Sequence, residues 1–184
     1  MGGGADGINV NIPTVMLSSV DGVTLTNEMA NGEVVMFMGN KLNLFEHDGG
    51  SSEEFVLSPR YGSIPLTMAN NNYSFQVGIE VINFGSADNT FNVNASIDGP
   101  SGNIYNETVN SFISTGDTLS IFNGNPSEFP LVSTPTWYGG DYTLTYTISI
   151  EGQTDESDFD NVFVRNFSVT SDVLSLAGQE NGAL

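Results

Sequence analysis

The stretch that decides the fold of this chain is Tyr73-Ser74-Phe75-Gln76-Val77-Gly78-Ile79-Glu80-Val81-Ile82-Asn83-Phe84-Gly85. Its odd-numbered positions from 73 to 81 are apolar, and the even-numbered positions between them are polar or small. A period of two is the pattern of a β-strand with one face on a core and one face in water. Such a strand needs partner strands beside it and a second layer over its apolar face.

The sequence downstream supplies those partners. Clean alternation returns at residues 90–98 and 142–150, and shorter apolar runs at 104–109, 117–122 and 162–169 read as further strands. Gly and Pro cluster between the runs as turn signals, and Pro59 and Pro65 suit an edge strand that opens the domain between residues 55 and 68. The pattern predicts a mainly β fold, an antiparallel β-sandwich of about seven strands.

Composition excludes several classes of function. Three Lys and Arg against 22 Asp and Glu give the 184-residue chain a formal charge of −19. Nucleic acid is therefore excluded as a partner, because phosphate binding requires clustered cations. The absence of cysteine excludes disulfides, thiolate zinc sites and a cysteine nucleophile. No apolar run reaches the length of a membrane-spanning helix, so membrane insertion is not expected.

The N-terminal region predicts a small, partial βαβ unit. Residues 12–17 and 33–38 read as strands, and residues 20–31 between them follow helical spacing. Ser18 or Ser19 is suited to cap the helix, and Asn31-Gly32 to end it in a left-handed conformation. The first seven residues have neither the basic end nor the apolar stretch of a signal peptide, and the first predicted strand lacks sheet neighbours. We therefore expect a fragment of a longer protein.

Two family resemblances follow from these residues. Ile12-Pro13-Thr14-Val15-Met16-Leu17-Ser18-Ser19-Val20-Asp21-Gly22, followed by a helix and Gly32-Glu33-Val34-Val35, resembles the C-terminal end of a protease-associated (PA) domain. The resemblance implies a non-catalytic piece over residues 1–44. Residues 45–56 are rich in Gly, Ser and acidic residues, a composition that predicts a linker.

The second resemblance is carried by Val81-Ile82-Asn83-Phe84-Gly85, Gly140-Asp141-Tyr142-Thr143-Leu144-Thr145-Tyr146 and Asp158-Phe159-Asp160-Asn161. Residues 57–172 resemble the immunoglobulin-like or CARDB-like domains of secreted bacterial proteins, especially those of Bacteroidetes, with a tail over residues 173–184. This resemblance implies a spacer or adhesion module. The two together are similar to the C-terminal regions of exported metallopeptidases, whose catalytic part would lie upstream.

Catalytic residues are not predicted. His47 is the only histidine and lies in the predicted linker, where a solvated loop residue is the expected role. Neither an H-E-x-x-H nor a G-x-S-x-G motif occurs. Glu156, Asp158 and Asp160 are candidate calcium ligands, although the EF-hand spacing is absent and a solvated acidic loop explains them as well.

Aromatic residues near position 137 provide a candidate ligand site. Trp137 and Tyr138, with Phe129 and Pro130 nearby, would form an exposed platform for sugars or peptides. The alternative is a loop plug over one end of the sandwich core.

These observations predict a non-catalytic accessory module, a C-terminal fragment of a larger secreted protein, with a peptidase as the expected parent. The alternative is a carbohydrate- or surface-binding adhesion domain. Expected partners are other domains of the parent and polypeptide or glycan, and no cofactor other than calcium is expected. The expected location is extracellular or at the cell surface.

Overall fold

The computed structural model describes residues 17–34, 40–122, 128–134 and 136–177. The chain divides into two units, Met1–Asn40 and Lys41–Leu184. The described part of the first unit contains helix α1, Ser19–Asn31. The predicted cap is present, since the Ser18 side chain accepts a hydrogen bond from the Asp21 amide at 3.0 Å. The prediction that the helix ends in a left-handed conformation is wrong, because the φ of Gly32, 166°, is that of extended backbone.

The strands of the predicted βαβ unit fall mostly outside the described residues, at 12–16 and 35–38. Leu17, Glu33 and Val34 are described and are not in strands. Helix α1 itself has no buried residue. Val20, Val23 and Met29 are more than half exposed, and Leu25 is partly buried.

The second unit is built almost entirely of strands. They are β1 Gly49–Gly50, β2 Tyr61–Pro65, β3 Ser74–Phe75, β4 Ile79–Asn83, β5 Asn89–Gly99, β6 Gly102–Ile113, β7 Thr118–Ile121, β8 Val132–Ser133, β9 Gly140–Ile150, β10 Val162–Thr170 and β11 Ser175–Leu176. A one-turn helix, α2 Leu66–Ala69, follows β2, and short 3-10 turns lie at Glu53–Phe55 and Asp158–Asp160.

Two sheets face each other across one core. The smaller has the order β1-β4-β7, and the larger has the order β11-β2-β10-β9-β5-β6. Val81 and Ile121 of the first sheet and Phe91, Val93 and Leu144 of the second belong to a single buried cluster. Pairing is antiparallel except between β2 and β10, which are parallel. The predicted fold class, a mainly β immunoglobulin-like sandwich, is confirmed.

The stretch from 73 to 85 forms two strands rather than one. Its predicted buried face is correct, because Phe75, Val77, Ile79 and Val81 are all buried. The break falls near Gly78, which Phe122 and the Ile121 carbonyl approach so closely that a side chain there would clash. As a result, β3 pairs with β8, and β4 forms the centre of the three-stranded sheet.

The segment predicted as a linker, residues 45–56, is instead part of the sandwich. Strand β1 pairs with β4, and the Ser86 amide donates to the Phe45 carbonyl at 2.9 Å. Gly49 packs directly against the Phe91 ring, a contact that its lack of a side chain permits. The glycine-rich composition that suggests a linker here reflects close packing. Strand β11 likewise brings part of the predicted tail, residues 173–184, into the larger sheet.

Candidate functional site

A buried ion-pair cluster lies where residues 41–51 meet the acidic loop at 151–161. The Lys41 ammonium contacts Asp48 Oδ1 at 2.7 Å and the two carboxylate oxygens of Asp160 at 2.9 and 2.8 Å. The Asp48 side chain is fully buried, and its Oδ2 has no hydrogen-bond partner among the described residues. Phe84 and Phe159 place their rings 4.3 and 5.0 Å from the ammonium. The chain thus supplies its own cation to these carboxylates.

Burial raises the pKa of both carboxyl groups. Desolvation is the largest cause of the raised pKa at Asp48 and at Asp160, and the hydrogen bond and charge of Lys41 oppose it. The nearby Asp155 carboxylate raises the pKa of both further. The cluster therefore favours proton uptake above the usual aspartate range.

Mild acidification is expected to stabilise the fold through this cluster. A carboxyl group with a raised folded-state pKa gives stability that is present at low pH and is lost as the pH rises through that pKa. The urea midpoint should therefore rise as the pH is lowered toward the ordinary aspartate pKa of 3.8. The increase in the urea midpoint should be smaller in the Asp48→Asn variant. An equal increase in the wild type and the variant would show that the cluster does not cause it.

The three predicted calcium ligands do not converge. Glu156 Oε2 accepts the backbone amides of Glu46 and His47 at 2.8 and 2.9 Å. Asp160 holds Lys41, and Asp158 lies in an exposed 3-10 turn. No group of three or more His, Asp or Glu within the described ranges is arranged to hold a metal ion. The acidic loop fastens residues 46–51 to the sandwich instead.

His47 is held in place by its neighbours. Its Nδ1 lies 2.9 Å from Asn89 Oδ1, and its carbonyl accepts the Glu156 amide at 2.9 Å. The imidazole is half-buried at the edge of the cluster, not free in a linker as the sequence predicts. Its side chain lies 4.0 Å from the exposed Glu46 carboxylate.

Trp137 and Tyr138 have different environments. Trp137 is only 2% exposed, and its ring centroid lies 5.3 Å from Tyr142 and 5.7 Å from Tyr73. Phe129 is buried as well, whereas Tyr138 is 53% exposed. The predicted aromatic platform is therefore not formed, and the alternative, a plug over the core, describes Trp137. Packing accounts for this outcome, because an indole buries more apolar area than any other side chain in the loop.

A long free sheet edge was not singled out from the sequence. Strand β6 closes the larger sheet and pairs on one side only, with β5, in the described part of the chain. It extends over 12 residues from Gly102 to Ile113, and Glu107 is its only charged residue. Edge strands are commonly protected by charges, prolines or bulges, and β6 has one charge and one bulge, the bulge lying at Ile104 opposite Ile97 and Asp98. The alternating pattern of residues 104–109 locates the strand, but the sheet order that leaves it at an edge depends on distant pairings.

Together these features define a β-sandwich module with an internal cluster of ion pairs and a 12-residue edge strand, β6. No protein-family model matches the chain, and no curated protein matches it. One similar solved structure is a CARDB domain from Pyrococcus furiosus, crystallised in complex with di-metal ions, with 20% identity and a TM-score of 0.43. The match covers 73% of this chain and 100% of that one.

These comparisons leave the other resemblances without support. Nothing in them points to a PA domain or to a Bacteroidetes peptidase. The di-metal ions are part of the Pyrococcus furiosus structure. Neither helix of the described residues has the length and apolar character needed to cross a membrane.

Proposed function

We propose that this chain is a non-catalytic accessory module of a larger secreted protein, and that it binds extended polypeptide along strand β6. The observation that carries this proposal is the long edge of β6, which beyond the bulge at Ile104 runs without interruption to Ile113. The 12-residue backbone of β6 pairs with β5 on one side. On its other side, no strand of the described residues pairs with it. A segment from a neighbouring domain or a partner would pair with that side as an added strand. The expected parent remains an exported peptidase.

The charge distribution supports the choice of edge. The chain carries a net charge of −19, yet only Glu107 is charged in β6. Like charges opposite one another destabilise cross-strand pairs, so a nearly neutral strand accepts an added neighbour at little electrostatic cost. The negative charge on the rest of the chain would help to keep an exported protein soluble.

Helix α1 supports the expectation of further polypeptide around this chain. Isolated helices of fewer than about 12–15 residues are marginal in water, and most helical stability comes from packing of an apolar face. Helix α1 has 13 residues and none of them is buried. A genomic reading frame that continues upstream into a peptidase domain would support the proposed parent. A stop codon in frame directly upstream would contradict it.

Peptide binding at the β6 edge is tested by selecting, from a random library of 12-residue peptides, those that bind to the full chain. Thr108 lies in the middle of β6 and is exposed, so Thr108→Lys places a charge on the edge. We expect the selected peptides to bind Thr108→Lys about 10-fold more weakly, because a charged side chain on an edge strand blocks strand addition. Amide hydrogen exchange in β6 should slow when peptide is bound.

Thr147→Lys is the matched control. Thr147 is also exposed, but β9 is paired with β5 and β10 on both sides. The same substitution there leaves no free edge to block, and peptide affinity should stay within about 2-fold of the wild type. Equal losses in the two variants, or no enrichment of any peptide, would overturn the proposed role of β6.

A further inference from the structure

The ion-pair cluster around Lys41 brings together the groups from which an amide bond is made. The Lys41 nitrogen lies 2.9 and 2.8 Å from the two carboxylate oxygens of Asp160, so it is also close to the carboxyl carbon, Cγ. A second carboxylate, that of Asp48, contacts the same nitrogen at 2.7 Å. Condensation to an amide requires an amine held beside one carboxyl group and a second group that moves protons between them.

The backbone fixes both carboxyl groups in place. The Asp48 carbonyl accepts the amide of Phe84, directly after β4, at 2.8 Å. The Asp160 carbonyl accepts the Ser51 amide at 3.1 Å. Gly50 leaves the space that the Asp160 carboxyl group occupies, because a Cβ at position 50 would clash with it. Groups held in contact react as though at very high concentration, with effective molarities that reach about 10⁵–10⁸ M.

Asp48 has the environment of a proton carrier. Its side chain is fully buried, and its Oδ2 has no hydrogen-bond partner among the described residues. This oxygen can therefore hold a proton while Oδ1 stays in contact with Lys41. Burial raises the pKa of Asp48 and that of Asp160, which makes the neutral carboxyl form easier to reach at both. The nearby Asp155 is already engaged, since each of its oxygens accepts a backbone amide, at 3.1 and 2.9 Å.

The surroundings of the cluster favour the condensed product. The side chains of Lys41 and Asp160 are only 16% and 14% exposed, and the Phe84 ring lies 4.3 Å from the ammonium. Exclusion of water protects an amide from hydrolysis. Condensation also replaces one ammonium and one carboxylate with a neutral group, which removes the cost of keeping those two charges out of water.

We propose that the chain forms an internal amide bond between Lys41 Nζ and Asp160 Cγ, with Asp48 carrying the protons. Asp48 takes a proton from the ammonium, and the neutral amine attacks Cγ after the Asp160 side chain rotates to present the face of its carboxyl group. The N–C bond forms and one C–O bond breaks. Two of the three ammonium protons pass through Asp48 to the departing oxygen, which leaves as water, and the amide keeps the third. Nothing is oxidised or reduced, so no further reactant is needed.

The bond would join two residues that are 119 positions apart in the chain. It fastens residues 41–51, and β1 with them, to the acidic loop before β10, in a chain that has no cysteine for a disulfide. The ion pairs are the state of the cluster before this reaction, so urea unfolding reports on them in freshly folded chain that has not yet lost water. The bond does not involve β6 and is independent of the peptide-binding proposal.

Mass spectrometry of the intact full chain tests this proposal. We expect the folded wild type to weigh one water less than its sequence requires. Chymotryptic digestion should release a branched peptide that joins the segments around Lys41 and Asp160. Asp160→Asn should form the same bond with the loss of ammonia in place of water, because its departing group is a nitrogen.

Lys41→Arg is the control, since it keeps a cation between the two carboxylates but its guanidinium stays protonated and does not attack. Its mass should equal that calculated from its sequence. The mass of Asp48→Asn, which lacks the proton carrier, should also be unchanged. A wild type of unchanged mass would overturn the proposal. Loss of water in Lys41→Arg, or a branched peptide that joins Lys41 to Asp48, would overturn it as well, because other groups would then have condensed.

Discussion

Replacing Lys41 by methionine is expected to lower the free energy of unfolding at pH 7 by about 3–5 kcal/mol. Lys41 is the cation between Asp48 and Asp160, and its side chain is 16% exposed. Methionine preserves most of the aliphatic volume, so the loss reports the charge rather than the packing. Without the ammonium, two poorly solvated carboxylates would face each other uncompensated, which is far more costly than losing a surface pair. Urea unfolding at pH 7 measures the difference.

Two further variants distinguish this effect from general damage. Glu53→Gln removes the carboxylate that pairs with Arg165, but Glu53 is 75% exposed. It should cost less than about 1 kcal/mol. Adding Asp48→Asn to Lys41→Met should recover much of the lost stability, because it removes the buried charge that lacks a partner. If Lys41→Met were no more damaging than Glu53→Gln, the cluster would have no special part in stability.

The fold could be predicted where the pattern is local. Residues 90–98 alternate without interruption, and Phe91, Val93, Ala95 and Ile97 are fully buried in β5. The two-residue strands β1, β8 and β11 carry no comparable signal. They exist because neighbouring strands lie alongside them, and tertiary contacts decide such short pairings. For the same reason, the glycines of β1 suggest a linker until the contact between Gly49 and Phe91 is known.

The candidate sites, too, could be predicted only where neighbouring residues carry the signal. Composition identifies the acidic loop at 151–161, but the partner of Asp160 is Lys41, which lies 119 residues earlier in the chain. No local rule pairs residues at that separation, so the sequence suggests a metal site where the structure has an internal ion pair. The contact between Tyr61 and Tyr73 is likewise not evident in the sequence, because it forms across the turn at Asn72.

Trp137→Ala is expected to lower the free energy of unfolding by about 3–5 kcal/mol. The indole is 2% exposed and contacts the rings of Tyr73, Tyr142 and Phe167, so alanine would leave a large cavity among aromatic side chains. Trp137→Phe should cost much less. Phenylalanine retains a ring in the cluster, and it removes an indole Nε1 that is buried with no partner among the described residues. Urea unfolding followed by circular dichroism compares the variants without relying on tryptophan fluorescence.

Tyr138→Ala provides the matched control for the structural role of Trp137. Tyr138 is the adjacent aromatic residue and is 53% exposed, so its truncation should change stability by no more than about 0.5 kcal/mol. A ligand platform predicts the opposite pattern, with loss of glycan binding and unchanged stability in Trp137→Ala. Near-equal urea midpoints for the two alanine variants would show that Trp137 is not part of the core. A large difference between them would establish that this tryptophan stabilises the sandwich.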